Sequence, residues 1–434
     1  MLRVSQIREA FQRCTEGQSG YAGRLEFVRR FNLSLGLGTD MTSGQPEPDF
    51  APDGRARFLE GARLNPMEYS LARIGEAIFG IEKFRQVFDP ESGGDIQSLL
   101  EAGPAIDPTT FVNINTFNLV VAGLVNARIM EQFENPALIG DELCETIPTN
   151  MNGQKFIGVT KIGDKGLTRN PGQPHTRAGF GEQWVKTPET SEKALCVEVS
   201  KEAVFFDLTG QVLDTASQVG EELAYRRELT IIDGVIGVNN TYSYKDTTYN
   251  TYQATTPWIN SQSNPLAYQA ADWKVIDAGL LLFSRMTDPA TGKEILVNPN
   301  AVLVSPDRAK LMSHIINATA VYEGSALSSN FPGRQTVGPN PIGFAPKILS
   351  SPIYRNRITA ANGLGLTSDQ AAVRWYMGDF KRAFKWMENW PLRVQQASAS
   401  EYVMLDRGII AAYFANYRGE FAVREPRYAE VNTH

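Results

Sequence analysis

The sequence predicts an α+β fold, and three observations carry that prediction. First, from Thr209 to about Gly237 the apolar residues Val212, Ala216, Val219 and Leu223 recur at the spacing of one helix face. Such a helix would be on the order of 40 Å long. Second, a polar hairpin punctuated by glycine and proline, from Lys155 to about Phe206, leads straight into that helix. Third, the C-terminal part alternates with period two, Ile410, Ala412 and Phe414 against Ala411, Tyr413 and Ala415, as a half-buried strand does.

Residues 1 to about 35 read as helical, with Ile7, Phe11, Leu25, Phe27, Val28 and Phe31 set among arginines. Thr39 to Arg57 is rich in Pro, Gly and Asp and reads as a linker. A second helical block spans roughly Arg57 to Phe88 and ends at Asp89-Pro90, before a polar stretch containing Gly93-Gly94, Gly103-Pro104 and Asp107-Pro108. The first 110 residues are thus expected to be an arm of helices on tethers. Phe117, Val121, Leu124 and Phe133 mark a further helix that stops at Asn135-Pro136.

The hairpin cannot stand alone. Gly163, Gly166, Pro171, Gly172, Pro174, Gly179, Gly181 and Pro188 leave its tip almost without large aliphatic side chains, and an isolated two-stranded hairpin is marginal in water. On the returning arm Leu195, Val197 and Val199 alternate with Cys196, Glu198 and Ser200, and Asp207-Leu208-Thr209 offers capping oxygens to the helix. A part of this kind either completes itself on a neighbouring molecule or is a long loop of a large enzyme.

Asn239 to Gln262, rich in Tyr, Thr and Asn, reads as an exposed connection or short edge strands rather than core. In the α/β section that follows, Trp273, Ile276, Leu280 and Phe283 lie on one face of a helix that Asp272 can cap. Ala301 to Val304 is a short apolar strand, and Ser305-Pro306-Asp307 starts the next helix, with serine as the cap. Residues 320 to 345 form a Gly/Ser/Pro-rich loop. Trp375 to Trp386, Leu392 to Gln396 and Gly408 to Tyr417 read as strands.

With 434 residues, 42% of them hydrophobic, the chain is long enough for two or three cores. A formal charge of -6 argues against a dedicated nucleic-acid binder. Cys14, Cys144 and Cys196 are far apart and odd in number, so neither a disulfide framework nor a zinc site is expected, and a reducing compartment fits. Met1 to Ser5 leads into charged sequence, and the apolar stretch around Leu119 to Val125 is far short of the ~20 residues a bilayer requires. Neither a secretory signal nor a membrane span is expected.

Little in the chain suggests catalysis. His175, His314 and His434 are too scattered to form a ligand pair. Thr291-Gly292-Lys293 lacks the rest of a phosphate loop, and Gly36, Gly38 and Gly44 fail the dinucleotide fingerprint. Two carboxylates could still meet in a cleft as acid and base. The run Lys381-Arg382-Ala383-Phe384-Lys385-Trp386 interleaves bases with aromatics and could touch nucleic acid. A strand with one apolar and one cationic face explains it at least as well.

The hairpin and long helix, with Tyr376-Met377-Gly378-Asp379-Phe380-Lys381-Arg382-Ala383-Phe384, Glu388-Asn389-Trp390-Pro391 and Arg424-Glu425-Pro426-Arg427-Tyr428, resemble the major capsid proteins of tailed bacteriophages and prophages. The resemblance covers roughly Phe111 to Val431 and implies the Hong-Kong-97-type fold. It implies a helix at 111–154 leading from the 1–110 arm into the shell domain, then an extended E-loop hairpin at 155–200. A P-domain with its spine helix follows at 201–264, an A-domain at 265–372, and returning P-domain strands at 373–434. It further implies hexamers and pentamers closing into an icosahedral shell around non-specifically packaged double-stranded DNA, with portal, scaffolding and decoration proteins as further partners. No catalytic residue, cofactor, metal or membrane is implied. The expected location is the virion, and the host cytoplasm during assembly. Residues 1–110 match no pattern of the family and are expected to be a retained arm. A protein nanocompartment of the encapsulin kind is the alternative on the same fold, and a soluble α/β enzyme with an unrecognised carboxylate site the alternative of another class. Some shells of the family are welded by lysine–asparagine isopeptides; Lys161, Lys165 and Lys186 with Asn389 or Asn416 are weak candidates, since no matching motif surrounds them.

Charge suggests how such a hairpin finds its neighbour. Lys155 to Lys193 holds seven basic and four acidic residues, whereas Asp207 to Gly237 holds six acidic and two basic ones. The expected contact between subunits sets Lys161, Lys165, Arg169, Arg177 and Lys186 against Asp214, Glu221, Glu222 and Glu228. Exposed pairs contribute only ~0–1 kcal/mol each, so charge would set register and encounter rate while apolar burial supplies stability.

Overall fold

The computed structural model describes Phe11, Phe31 and residues 27–29, 71–79, 108–135, 137–150, 152–153, 155–157, 184–206, 211–244, 246–255, 257–267, 272–287, 294–324, 335–343, 345–398 and 409–433. Most of the expected N-terminal helical blocks and the hairpin tip lie outside them. The helices are α1 (Leu71–Phe79), α2 (Pro108–Phe133), α3 (Gly140–Leu143), α4 (Lys201–Phe206), α5 (Gln211–Val235), α6 (Trp273–Ser284), α7 (Pro306–Asn317), α8 (Pro352–Thr359), α9 (Ser368–Val373) and α10 (Phe380–Ala383). The first strands are β1 (Glu145–Pro148), β2 (Lys155–Ile157), β3 (Trp184–Lys186), β4 (Ser191–Ser200), β5 (Tyr242–Tyr244), β6 (Thr247–Tyr249) and β7 (Ser261–Ser263). They are followed by β8 (Ala301–Val304), β9 (Ala320–Gly324), β10 (Gln335–Pro339), β11 (Lys347–Leu349), β12 (Trp375–Gly378), β13 (Phe384–Ser398), β14 (Ile409–Val423) and β15 (Ala429–Thr433). The chain forms two units, and α5, β13 and β14 each contribute residues to both.

One unit comprises Met1–Asn135, Glu192–Tyr225 and Pro391–Tyr417. Phe27 meets Phe11 edge-on at 5.1 Å and stacks on Phe31 at 6.1 Å, so the aromatic residues of the N-terminal segment bury one another. In α1 the buried residues Leu71, Ile74 and Ile78 lie on one helix face. The helices α2 and α5 approach closely at Gly220, where a Cβ would stand 2.5 Å from the Ile129 carbonyl oxygen. Strand β14 alternates as expected, with Ala411, Tyr413, Ala415 and Tyr417 buried and Phe414 exposed. In β4 only Val197 and Val199 are buried; Leu195 and Cys196 are exposed. The returning arm ends at Ser200, whose hydroxyl accepts from Ala203 N, and Lys201 to Phe206 is helical instead of strand.

The other unit comprises Pro136–Ser191, Arg226–Trp390 and Arg418–His434. Its centre is a five-stranded sheet in the order β11-β8-β12-β15-β7. Strand β8 runs parallel to β11 and antiparallel to β12, and β15 runs antiparallel to β12 and parallel to β7. On it Val302, Val304, Trp375 and Met377 pack with Val275, Ile276 and Phe283 of α6 and Met312, Ile315 and Ile316 of α7. Asp272 caps α6 as expected, accepting from Lys274 N at 2.8 Å. Ser305 does not cap α7. Its hydroxyl turns to the Asp307 carboxylate at 3.2 Å, a charged acceptor.

Two further expectations are corrected. The strand expected over Trp375 to Trp386 is interrupted: β12 ends at Gly378, Asp379 accepts from Arg382 N, and the helical turn α10 intervenes before β13. Gly378 also lies so close to β15 that a Cβ would stand 2.2 Å from the Tyr428 carbonyl oxygen. In residues 239–262 the expected short edge strands are present as β6 and β7, but the stretch also holds core residues, which was not expected. Tyr242 and Trp258 are buried and meet edge-on at 5.4 Å. Asn260 is fully buried, and its amide donates at 3.0 Å to the carbonyls of Thr251, Pro426 and Ala429 while its side-chain oxygen accepts from Gln253 N at 2.7 Å. A polar composition here conceals a hydrogen-bonded core.

The C-terminal half of α5 is seated in this unit by two contacts. A Cβ on Gly234 would stand 2.1 Å from the Phe421 ring, and the buried Asp233 carboxylate takes Nε and Nη2 of Arg357 at 2.6 and 3.0 Å. Gly234→Val should therefore destabilise the unit by ~1–3 kcal/mol through overpacking, measured as a lowered midpoint of thermal unfolding.

Candidate assembly surface

The described ends of the hairpin are anchored within the second unit. On the outgoing side β1 pairs in parallel with β13, in register from Glu145 opposite Lys385 to Pro148 opposite Glu388. Lys385, although buried, closes an ion pair with Glu145 and donates to the Lys381 carbonyl. Lys385 holds the Glu145 carboxyl below the usual carboxylate range. One step on, Thr149 N donates to the Glu388 carbonyl at 2.7 Å, and Asn389 Nδ2 donates to the Thr149 carbonyl at 3.0 Å.

The stem is then two short strands. β2 pairs antiparallel with β3, and β3 pairs with β5, which pairs with β6. In this register Lys155 stands opposite Lys186, both exposed. Two like charges across a strand pair repel each other. On the returning side Asn152 Oδ1 accepts from Thr190 N at 2.8 Å, Arg418 donates to the Thr190 hydroxyl and carbonyl at 3.1 and 3.3 Å, and Ser191 Oγ donates to Glu420 at 2.8 Å. The Arg418 guanidinium lies over the Trp390 ring at 5.5 Å. Gly153, at φ +75°, makes the turn beside Asn152. Sequence reasoning missed these anchors; the Asn152-Gly153 dipeptide, a turn former, is a local signal that could have found one of them. Arg418 and Glu145 carry no local pattern.

Among the residues expected to contact a neighbour, Lys161, Lys165, Arg169 and Arg177 lie outside the described residues. Lys186, Asp214, Glu221 and Glu222 are exposed. Glu228 is a correction: it is buried, and its two carboxylate oxygens accept from Ile139 N at 3.0 Å and Gly140 N at 2.8 Å. Next to it Arg227 pairs with Asp141 at 2.7 Å and covers the Trp386 ring at 5.5 Å. Burial raises the Glu228 carboxyl above its ordinary range, with the two backbone N–H groups opposing. A carboxylate engaged in this way inside its own chain is not offered to another. The basic run at 381–386 is likewise engaged internally. Lys381 lies 3.8 Å from Glu142, Arg382 covers Tyr428 at 5.0 Å, and Lys385 is buried.

Asn416, the other weak cross-link candidate, donates to Glu192 at 2.8 Å. His314 is exposed on α7. His175, His434, Cys14 and Thr291-Gly292-Lys293 lie outside the described residues. Cys144 and Cys196 are free thiols, and burial pushes that of Cys144 up to about 12. Among the described residues no group of three or more His, Cys, Asp or Glu could hold a metal ion, and no helix is long and apolar enough to cross a membrane.

Comparison with known proteins defines the class. Residues 184–430, from β3 through α5 to β15, match the phage capsid protein family. The chain belongs to that family, and its role is that of a major capsid protein, a structural protein that associates with itself into a bacteriophage shell. Its mixed helix and sheet architecture fits the capsid fold that the sequence resemblance implies. Similar solved structures include the capsid of an empty GTA particle, at 13% identity over 69% of this chain and 90% of that one, with a TM-score of 0.40. The capsid of cyanophage P-SCSP1u is similar at 17% identity over 68% of this chain and 88% of that one, with a TM-score of 0.39. An encapsulin complex from Synechococcus elongatus is similar at 11% identity over 68% and 85%, also with a TM-score of 0.39. Comparison with curated proteins finds no match.

Glu228→Gln would turn an amide N–H₂ toward one of two backbone N–H donors. The expected loss is ~1–3 kcal/mol for the unsatisfied buried groups, together with faster amide exchange at Ile139 and Gly140, read by hydrogen-exchange mass spectrometry.

Proposed function

We propose that this chain tiles the shell as hexamers and pentamers that close into an icosahedral head around double-stranded phage DNA, with no catalytic step and no cofactor. The family match over residues 184–430 carries this reading. In the proposed division, 1–110 is a retained arm, 111–154 leads into the shell domain, and 155–200 is the E-loop. The P-domain takes 201–264 and 373–434, and the A-domain 265–372. Assembly in the host cytoplasm, packaging of DNA without sequence preference, and contacts with portal, scaffolding and decoration proteins belong to the same reading.

The E-loop is proposed to lie on the exposed acidic face of a neighbour's helix, now Asp214, Glu221 and Glu222 without Glu228. Two exposed lysines side by side at its stem, Lys155 and Lys186, support that polarity. The anchored root supports a second element of the reading, because a hairpin held at both ends reaches its neighbour at lower entropic cost than a free strand.

Electron microscopy of the purified protein should show large closed particles; a small defined oligomer would overturn the proposal. Double-stranded DNA should fill particles taken from an infected or induced host, whereas a resident protein cargo would point to a nanocompartment. Reversing Lys165, Arg169 and Arg177 together to glutamate should slow assembly followed by light scattering, most at low salt, where the Debye length is longest. Unchanged, salt-independent kinetics would sink the charge-steering reading alone.

A further inference from the structure

The second unit contains one carboxyl group that nothing in shell assembly explains. Glu430, on the central side of the five-stranded sheet, is fully buried. Its Oε1 accepts from Asn432 Nδ2 at 2.9 Å, and its Oε2 has no hydrogen-bond partner. Asn432 has nothing more to give on its oxygen side, because its Oδ1 already accepts from Gln262 Nε2 at 2.8 Å and Asn264 Nδ2 at 3.0 Å. Above the carboxyl runs α6, and Gly279 makes room for it: a Cβ there would stand 2.3 Å from Glu430 Oε1 and 2.6 Å from the Met377 methyl.

No described element brings a compensating cation. From α6, Lys274 and Asp277 are exposed and Lys274 lies 3.8 Å from Asp272. From β12 the neighbour is Met377, and from β7 Gln262 is spent on Asn432. In the turn before β15, Arg427 pairs with Glu425 at 2.8 Å. A titratable group that feels Glu430, among the described residues, is the buried Tyr252, itself neutral, with its hydroxyl on the Val235 carbonyl at 2.6 Å. An ionised carboxylate in this place would be a buried charge with one hydrogen bond, and a neutral acid costs far less.

We infer that Glu430 is carried as the neutral carboxylic acid at neutral pH, making the seat of α6 on the sheet a proton-linked joint that is firm in acid and loosens as pH rises. Burial indeed pushes this carboxyl well above its ordinary range, opposed by the Asn432 hydrogen bond. The sign follows from linkage. A carboxyl whose folded-state pKa is raised keeps its proton in the fold but loses it on unfolding above roughly pH 4.3, so its contribution falls as pH rises toward the folded-state value.

The test compares the full chain with Glu430→Gln, which keeps the shape and cannot ionise, and with Glu430→Met as a second neutral replacement. The infrared difference spectrum of wild type minus variant at neutral pH should show the carbonyl band of a protonated carboxylic acid. Hydrogen-exchange protection of 273–284, taken as the ratio of wild type to variant at each pH, should fall by up to ~tenfold per pH unit as pH rises above roughly 4.3 toward the folded-state value, one proton being released. An ionised-carboxylate band in place of the acid band, or a protection ratio flat with pH for either variant that folds, would overturn the inference. If neither variant folded, the acid band of the wild type would be compared with that of Asn432→Ala, which removes the hydrogen bond to Glu430 and not those of the other raised carboxyls, Glu228 and Glu388: a shifted band supports the inference and an unshifted one overturns it.

Discussion

The grip of Glu228 on the backbone of Ile139 and Gly140 is the contact on which the root of the hairpin depends. The carboxylate comes from α5 and the N–H groups from the start of α3, so the long helix fixes where β1 begins. Strand β1 in turn fixes the outgoing arm of the hairpin by pairing with β13. Gly140 is obligatory for this grip, since a Cβ there would stand 2.5 Å from Glu228 Oε2. The arrangement carries a desolvation cost, visible in the raised Glu228 carboxyl, and two charge-assisted hydrogen bonds offset part of it. What it yields is geometry: one helix face, one strand and one hairpin root held in a single register.

The same trade recurs through the second unit. Asp233 and Arg357 form a buried bidentate pair whose net stabilisation is small, because both charges lose their hydration. Arg357 also donates to the side chain and carbonyl of Asn362 at 2.8 Å, so one guanidinium ties α5 to the turn after α8. The buried Asn260 binds three carbonyls from two distant segments. Apolar packing of α6 and α7 on the sheet supplies the bulk of the stability, whereas these polar bolts select one arrangement among many of similar burial. For a subunit that must repeat itself identically around a shell, that selectivity matters more than a few kcal/mol.

A capsid protein also has to keep its contact surface open until a neighbour arrives. In the proposed contact the exposed lysines of the stem and the exposed carboxylates of α5 would meet that demand, because charge repels like surfaces and keeps free subunits apart.

By itself the sequence determined the class, the long helix, the capped helix α6, the strand β8 and the alternation of β14, because each is written in local periodicity or a capping residue. The family resemblance was legible for the same reason, in ordered short motifs along the chain. Tertiary structure alone decided which charges are free. Glu221 and Glu228 both belong to the acidic run of α5, yet Glu221 is exposed whereas Glu228 is buried and consumed by two N–H groups that lie almost ninety residues away in sequence. It decided too that Ser305 serves Asp307 rather than its helix, that Gly378 and Asp379 break an apparently continuous strand against β15, and that the Tyr- and Asn-rich stretch is partly core. The physical reason is common to all of these. Hydrogen-bond partners and burial are set by which segments meet, and that information is distributed over the whole chain rather than held in any window of it.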